Sequence, residues 1–195
     1  MPAEPLKAPR ADNRLPAVLD AAARLFAEKG YSATSMRDIA LACGMLPGSL
    51  YYHFAAKESL LAAVYRRGVA ALRDGVRAAI AREADPWLRL EAACAAHLET
   101  LLRRSDDAQV LIRVLPWDIA AAAAELRRLR DSYEREFAQL IAALALPAGT
   151  DRKALRLMLL GALNWSRLWF DPSGRDTPRS LARKFVKMLK EEQHG

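Results

Sequence analysis

Ser35-Met36-Arg37-Asp38-Ile39-Ala40-Leu41-Ala42-Cys43-Gly44-Met45-Leu46-Pro47-Gly48-Ser49-Leu50-Tyr51-Tyr52-His53-Phe54 is the stretch that decides the architecture. It reads as two short helices about a turn. Ser35 offers an oxygen to the backbone N–H three residues on, and Asp38 stands where it can reach back, the reciprocal arrangement that opens a helix. Ile39, Ala40 and Ala42 supply an inward face, and Gly44 ends the segment. Pro47 then opens a second segment, because the first position of a helix needs no N–H. Leu50 reads as core; Tyr51 and Phe54 read either as core aromatics or as part of a surface. Two short helices joined at a glycine form a helix-turn-helix pattern, whose second member enters a DNA major groove by its N-terminal end.

The side chains on that second segment suit such a task. Gly48 allows close backbone approach. Ser49, Tyr51, Tyr52 and His53 offer hydroxyls, phenols and an imidazole to phosphate oxygens or base edges. Lys57 begins the next helix, where backbone N–H groups already favour a phosphate, and Arg37 lies in the first turn of the preceding one. Taken singly each has a blander reading: His53 as a surface histidine, Lys57 and Glu58 as a solvated pair. The ordered string outweighs them.

Outward from this core the punctuation is helical throughout. A first helix starts near Asn13 or Arg14, carries Val18, Leu19, Ala22, Leu25 and Phe26 at helical spacing, and stops at Gly30. A fourth runs from Lys57 into the eighties with Leu60, Leu61, Val64 and Leu72 on one face. Asp85-Pro86 opens a helix to about Arg104, and a short one follows over Ala108–Val114. Asp118 is expected to cap a long helix to about Leu146. Helix resumes over Leu155–Phe170, and a last one runs from Thr177-Pro178 to about Glu192. The expected fold is all-α: a three-helix head at 13–57 behind a flexible arm at 1–12, and a helical bundle over 58–195, about nine helices in all.

Bulk properties agree and exclude. The 195 residues carry a formal net charge of +7, which suits a polyanionic partner. Cys43 and Cys94 are too far apart for a CxxC site, so neither a disulfide framework nor a metal is expected. No signal peptide is read at the N-terminus, and no apolar run approaches the ~20 residues of a membrane span, so a cytoplasmic protein is expected. An enzyme would need a catalytic constellation; HExxH, GxSxG, a Walker loop and the two Glu-x-x-His motifs of a di-iron bundle are all lacking, and no cofactor is expected. A DNA-architectural protein without an effector would fit the head, but not so large an aromatic-containing body. A basic membrane-surface protein would need a long basic amphipathic helix; only the last one comes near it.

The run Gly30-Tyr31-Ser32-Ala33-Thr34-Ser35-Met36-Arg37-Asp38-Ile39-Ala40, then Gly44, Gly48-Ser49-Leu50-Tyr51-Tyr52-His53-Phe54 and Lys57-Glu58-Ser59-Leu60, resembles the head of tetracycline-repressor (TetR) regulators. The resemblance implies a sequence-specific DNA-binding regulator of transcription, a repressor released from its operator by a small hydrophobic effector. It also implies DNA contacts at Ser35, Arg37, Gly48, Ser49, Tyr51, Tyr52, His53 and Lys57. Two positions depart from the pattern. Leu46 replaces the usual serine or threonine cap, and Ala56 replaces the usual polar residue before Lys57. Each lost cap costs ~0.5–2 kcal/mol, offset at the first by Pro47.

In the body, Asn164-Trp165…Trp169-Phe170…Pro172-Ser173-Gly174-Arg175 is similar to a stretch of TetR regulators that answer acyl-CoA thioesters. It implies such an effector, with Arg167 and Arg175 as candidates for its phosphates. Face and size nominate Trp87, Leu90, Cys94, His97, Leu98, Trp117, Tyr133, Phe137 and Met158 as pocket lining, joined by Asn164 and Trp165 from the resemblance. Trp165 and Trp169 could equally pack a dimer interface, and His97 could be a satisfied histidine. Leu155–Leu163 is apolar nearly all round, and Leu181, Phe185, Met188 and Leu189 share a face of the last helix. A homodimer through the last two helices is expected, matching a palindromic double-stranded operator.

Overall fold

The computed structural model describes residues 14–103 and 105–191. Among them are nine α-helices and no strand: α1 Leu15–Lys29, α2 Met36–Ala42, α3 Pro47–His53, α4 Lys57–Ile80, α5 Pro86–Leu102, α6 Asp106–Arg113, α7 Ala123–Ala142, α8 Arg152–Trp165 and α9 Pro178–Glu191. The arm expected at 1–12 and the ends expected at Arg104 and Glu192 lie outside the described residues.

The head closes on residues that the helical spacing singled out. Val18, Ala22 and Phe26 of α1, Ile39 of α2, Leu50 of α3 and Leu60, Leu61 and Val64 of α4 are all buried. The Ser35 hydroxyl accepts from the Asp38 N–H at 3.1 Å and Asp38 accepts from the Ser35 N–H at 2.9 Å, so the start of α2 is locked from both sides. Gly44 makes the turn before α3 with φ of +66°, a conformation that would strain other residues. Leu46 makes no side-chain cap for α3, which begins at Pro47. At α4, Ser59 takes over the capping that Ala56 cannot do: its hydroxyl accepts from the Ala56 N–H at 3.3 Å and donates to the Ala56 carbonyl at 2.7 Å.

The body is built around α5, which packs most widely against α9 and α4 and also touches α7 and α8. Leu90, Cys94 and Leu98 of α5, Leu126, Phe137 and Ile141 of α7, Leu159 and Leu163 of α8, and Leu181, Val186 and Leu189 of α9 form its core. The core is continuous with that of the head through α4.

Two elements differ from expectation. α7 starts at Ala123, because Asp118 turns backward: its carboxylate accepts from the Leu115 N–H at 2.8 Å and closes a turn instead of capping a helix. The helix expected to reach Phe170 ends at Trp165 in a 3-10 turn, Ser166–Leu168. Ser166 is fully buried, and its hydroxyl spends itself on the Ala162 carbonyl at 2.9 Å.

Candidate functional site

The face presented by α2 and α3 is open. Ser35, Arg37, Gly48, Ser49, Tyr51, Tyr52 and His53 are all exposed, Tyr52 at 88% and Tyr51 at 52%, while Leu50 between them is fully buried. The tyrosines are therefore surface groups rather than core aromatics; Phe54 is half-buried against the core. The Tyr52 and His53 rings meet edge to face with centroids 5.2 Å apart. Seven of the eight expected DNA-contact residues are thus exposed, and Ser35 and Tyr51 line one open groove together with Lys57.

Lys57 is placed differently. Its ammonium donates to the Tyr31 carbonyl at 2.9 Å and to the Thr34 carbonyl at 2.8 Å, and it stands 4.2 Å from the centre of the Tyr31 ring. The Tyr31 hydroxyl donates to Glu58 at 2.6 Å, which holds the Glu58 carboxyl below its ordinary pKa and, with burial, pushes the phenol up. The expected phosphate-binding side chain thus ties the start of α4 to the turn between α1 and α2. Two carbonyls of one turn can hold an ammonium more rigidly than solvent does.

Behind the head, α4, α5, α6, α7 and α8 line a half-open cavity of about 330 Å³. Its wall includes Tyr65, Val69 and Leu72 of α4, His97 and Leu101 of α5, Leu111 and Ile112 of α6, Arg130, Tyr133 and Glu134 of α7, and Leu160, Gly161, Asn164 and Trp165 of α8. Leu115 and Arg167 complete it from the loops. Of the residues nominated from sequence, His97, Tyr133, Asn164, Trp165 and the phosphate candidate Arg167 are brought together here. The others are not. Leu90, Cys94, Leu98 and Phe137 are fully buried in the core behind the wall, and burial pushes the Cys94 thiol up. Trp87 is half-buried with Lys190 6.0 Å from its ring, while Trp117 and Met158 are exposed. Arg175 is exposed and does not reach the cavity. The α4 and α6 lining was missed because each continues a face that reads as plain core; the only signal available was that Tyr65, Val69 and Leu72 follow the head's own face on the same helix.

His97 is the polar centre of this wall. It is 2% exposed, its Nδ1 lies 2.7 Å from the Tyr133 hydroxyl, and its Nε2 has no hydrogen-bond partner among the described residues. Burial lowers the imidazole pKa to about 4, a shift that nearby Asn164 only partly opposes without the geometry of a full hydrogen bond. Phe137 meets the ring edge-on at 6.0 Å. Arg130 is engaged by Glu134 at 2.9 Å, and Glu134 also faces Arg156 at 3.6 Å. No cluster of metal-ligating side chains occurs among the described residues, and no described helix is long and apolar enough to cross a membrane.

Residues 18–64 match the family model described as bacterial regulatory proteins, tetR family. Residues 83–191, more than half of the chain, match the tetracyclin repressor-like C-terminal domain. Over 75 residues the chain is 47% identical to the HTH-type transcriptional repressor KstR2 of Rhodococcus jostii, a match covering 38% of this chain and 37% of that protein. The matched stretch is thus less than half of this curated relative's length. Two solved structures are similar over nearly the whole chain. The superantigen PfiT is 30% identical, with a TM-score of 0.78, over 91% of this chain and 96% of its own. AibR in complex with isovaleryl coenzyme A and operator DNA is 28% identical, with a TM-score of 0.74, over 90% and 97%.

Proposed function

The chain belongs to the TetR family of bacterial regulatory proteins, and from that membership and its two sites we propose that it represses transcription and is released from a palindromic operator by a small apolar acyl compound carried on coenzyme A. The observation that carries the reading is the single helix α4. Leu60, Leu61 and Val64 of its first turns are buried in the head, and Tyr65, Val69 and Leu72 line the cavity. Whatever fills the cavity bears on the helix that seats α3.

Release works by differential affinity: the effector binds a form of the body in which the two heads of a dimer stand at the wrong separation. Half-sites in successive major grooves demand a spacing of ~34–36 Å, so a small tilt of α4 is enough. A coupling of ~1–3 kcal/mol would change operator affinity by roughly 5–150-fold. Support for a coenzyme A carrier comes from AibR, solved with isovaleryl coenzyme A and operator DNA, and from Arg167 on the cavity rim. The repressor reading is supported by KstR2.

The test is a titration of operator-bound protein with acyl-CoAs of increasing chain length, beside the free acids and coenzyme A alone. Release by acyl-CoAs only is expected. No change in operator affinity with any of them, or equal action by coenzyme A itself, would refute the effector reading and leave the DNA-binding reading intact.

A further inference from the structure

The cavity wall holds a polar pair that the protein leaves half satisfied. His97 is 2% exposed, yet its Nε2 is unpartnered among the described residues and lines the cavity. Native structures seldom keep such an orphan without a use for it. Two proton arrangements are open to the pair it forms with Tyr133 at 2.7 Å. If Nδ1–H donates to the phenol oxygen, both the Tyr133 O–H and the Nε2 lone pair go unmatched. If the phenol O–H donates to Nδ1, only the Nε2–H remains. The second leaves fewer orphans, so His97 offers an N–H to the cavity. Asn164 lies on the same wall and raises the imidazole pKa, the effect of a carboxamide oxygen turned toward the ring, short of a full hydrogen bond.

We infer that this cavity selects an uncharged carbonyl compound — an acyl thioester, ester or ketone — whose oxygen accepts the His97 Nε2–H, and that it rejects the matching free carboxylate. The inference rests on the effector reading above. A carboxylate at His97 would exchange its hydration for a neutral N–H donor beside Leu101 and Leu160, while on the same wall the Glu134 carboxylate repels it and holds the Arg130 Nε–H at 2.9 Å. Arg167 differs: it lines both this cavity and an outer groove beside α1 and α6. An anionic carrier can therefore remain at the rim while the carbonyl is read inside. The volume of about 330 Å³ lies at the small end for ligand sites, which favours a short or compact acyl group over a long chain. Tyr133 acts here as a positioning residue, since its O–H fixes the imidazole tautomer.

The experiment sets matched ligands against the intact wild-type chain by calorimetry: butanoyl-CoA, its thioether analogue with the carbonyl replaced by methylene, and butanoate. A second pair omits the carrier, cyclohexanone against methylenecyclohexane. The carbonyl member of each pair is expected to bind about tenfold or more tightly, and butanoate most weakly. In His97→Phe and Tyr133→Phe the carbonyl preference should shrink toward one while thioether affinity holds, a readout that a merely structural role would not give. Equal binding of thioester and thioether to the wild type overturns the carbonyl inference and leaves the coenzyme A reading standing. Carbonyl preference in the carrier-free pair, with no CoA compound bound, supports the inference and removes the coenzyme A reading. If no carbonyl compound binds, both fall.

Discussion

Lys57 shows how far one side chain's role can depart from its position in a motif. At the N-terminus of α4 it reads as a phosphate ligand, but its ammonium is bound to the carbonyls of Tyr31 and Thr34. Lys57→Met should therefore lower the stability of the head by roughly 1.5–3 kcal/mol, the worth of charge-assisted hydrogen bonds, and weaken binding to every DNA sequence. A melting curve decides it: an unchanged midpoint with weaker DNA binding would return Lys57 to the phosphate-contact role. His97 supplies a second prediction. Its folded pKa of about 4 lies below the 6.5 of the free side chain. Above pH 6.5 both states are neutral and nothing is lost. As pH falls toward 4 the unfolded chain takes up a proton that the folded one refuses, so stability drops by an amount on the order of 3 kcal/mol. Wild type should lose about that much stability relative to His97→Phe from pH 7 to pH 4; parallel curves would place the imidazole in water.

At the scale of elements, α6 is the piece that sequence reading undervalued. It is short and reads as a connector, yet one side of it faces the cavity through Leu111 and Ile112. Its other side grips the head: Arg113 donates to the Ala27 carbonyl, and Asp107 takes Arg67 at 2.8 Å, which in turn bonds Asp20 of α1 at 2.6 Å. Gly68 of α4 lets it come close, since a Cβ there would stand 3.0 Å from a Leu111 methyl. Leu111 has the cavity beside it and can yield. Gly68→Ala should thus leave the melting temperature nearly unchanged, helix propensity offsetting tighter packing, while Leu111 moves inward and effector affinity falls. Unaltered effector affinity would mean that Leu111 yields elsewhere. The helices themselves were legible where a terminus carried its own chemistry, as at Ser35-Asp38 and Asp85-Pro86, while the Asp151 cap, which starts α8 at Arg152, was missed by a reading that began the helix at Leu155. They were illegible where a polar side chain served a different bond, as Asp118 and Ser166 do. The cavity was half legible: polar or aromatic lining on α5, α7 and α8 stood out, but apolar lining on α4 and α6 is chemically identical to core until packing shows what is missing opposite it.

For the whole molecule, we propose that a second copy sits on the apolar surface that folding leaves exposed. A disruption aimed at Leu181 would misfire, because Leu181, Ala182, Val186 and Leu189 are the buried face of α9 against α5. Charging Leu181 would break the body of each chain and reveal nothing about association. The apolar surface lies on the opposite sides: Leu157 at 48%, Met158 at 56% and Trp165 at 65% exposed on α8, Trp169 just after it, and Met188 at 54% on α9. Large exposed apolar groups on two helices that both pack against α5 are what an association surface requires, and a two-fold dimer buries the same surface on both copies. Trp165 also lines the cavity, so pocket and interface share a residue and neither assignment excludes the other. Met158→Glu with Met188→Glu should leave helicity and melting cooperativity near wild type, since both side chains reach solvent in the single chain. Each copy would then carry unpaired charge into the shared patch, a cost that disfavours pairing. Sedimentation should find the double variant as a monomer where the wild type is a dimer, and its affinity should fall for a full palindrome far more than for an isolated half-site. A variant that still sediments as a dimer would move the interface away from α8 and α9, and the search would shift to the exposed faces of α6 and α7.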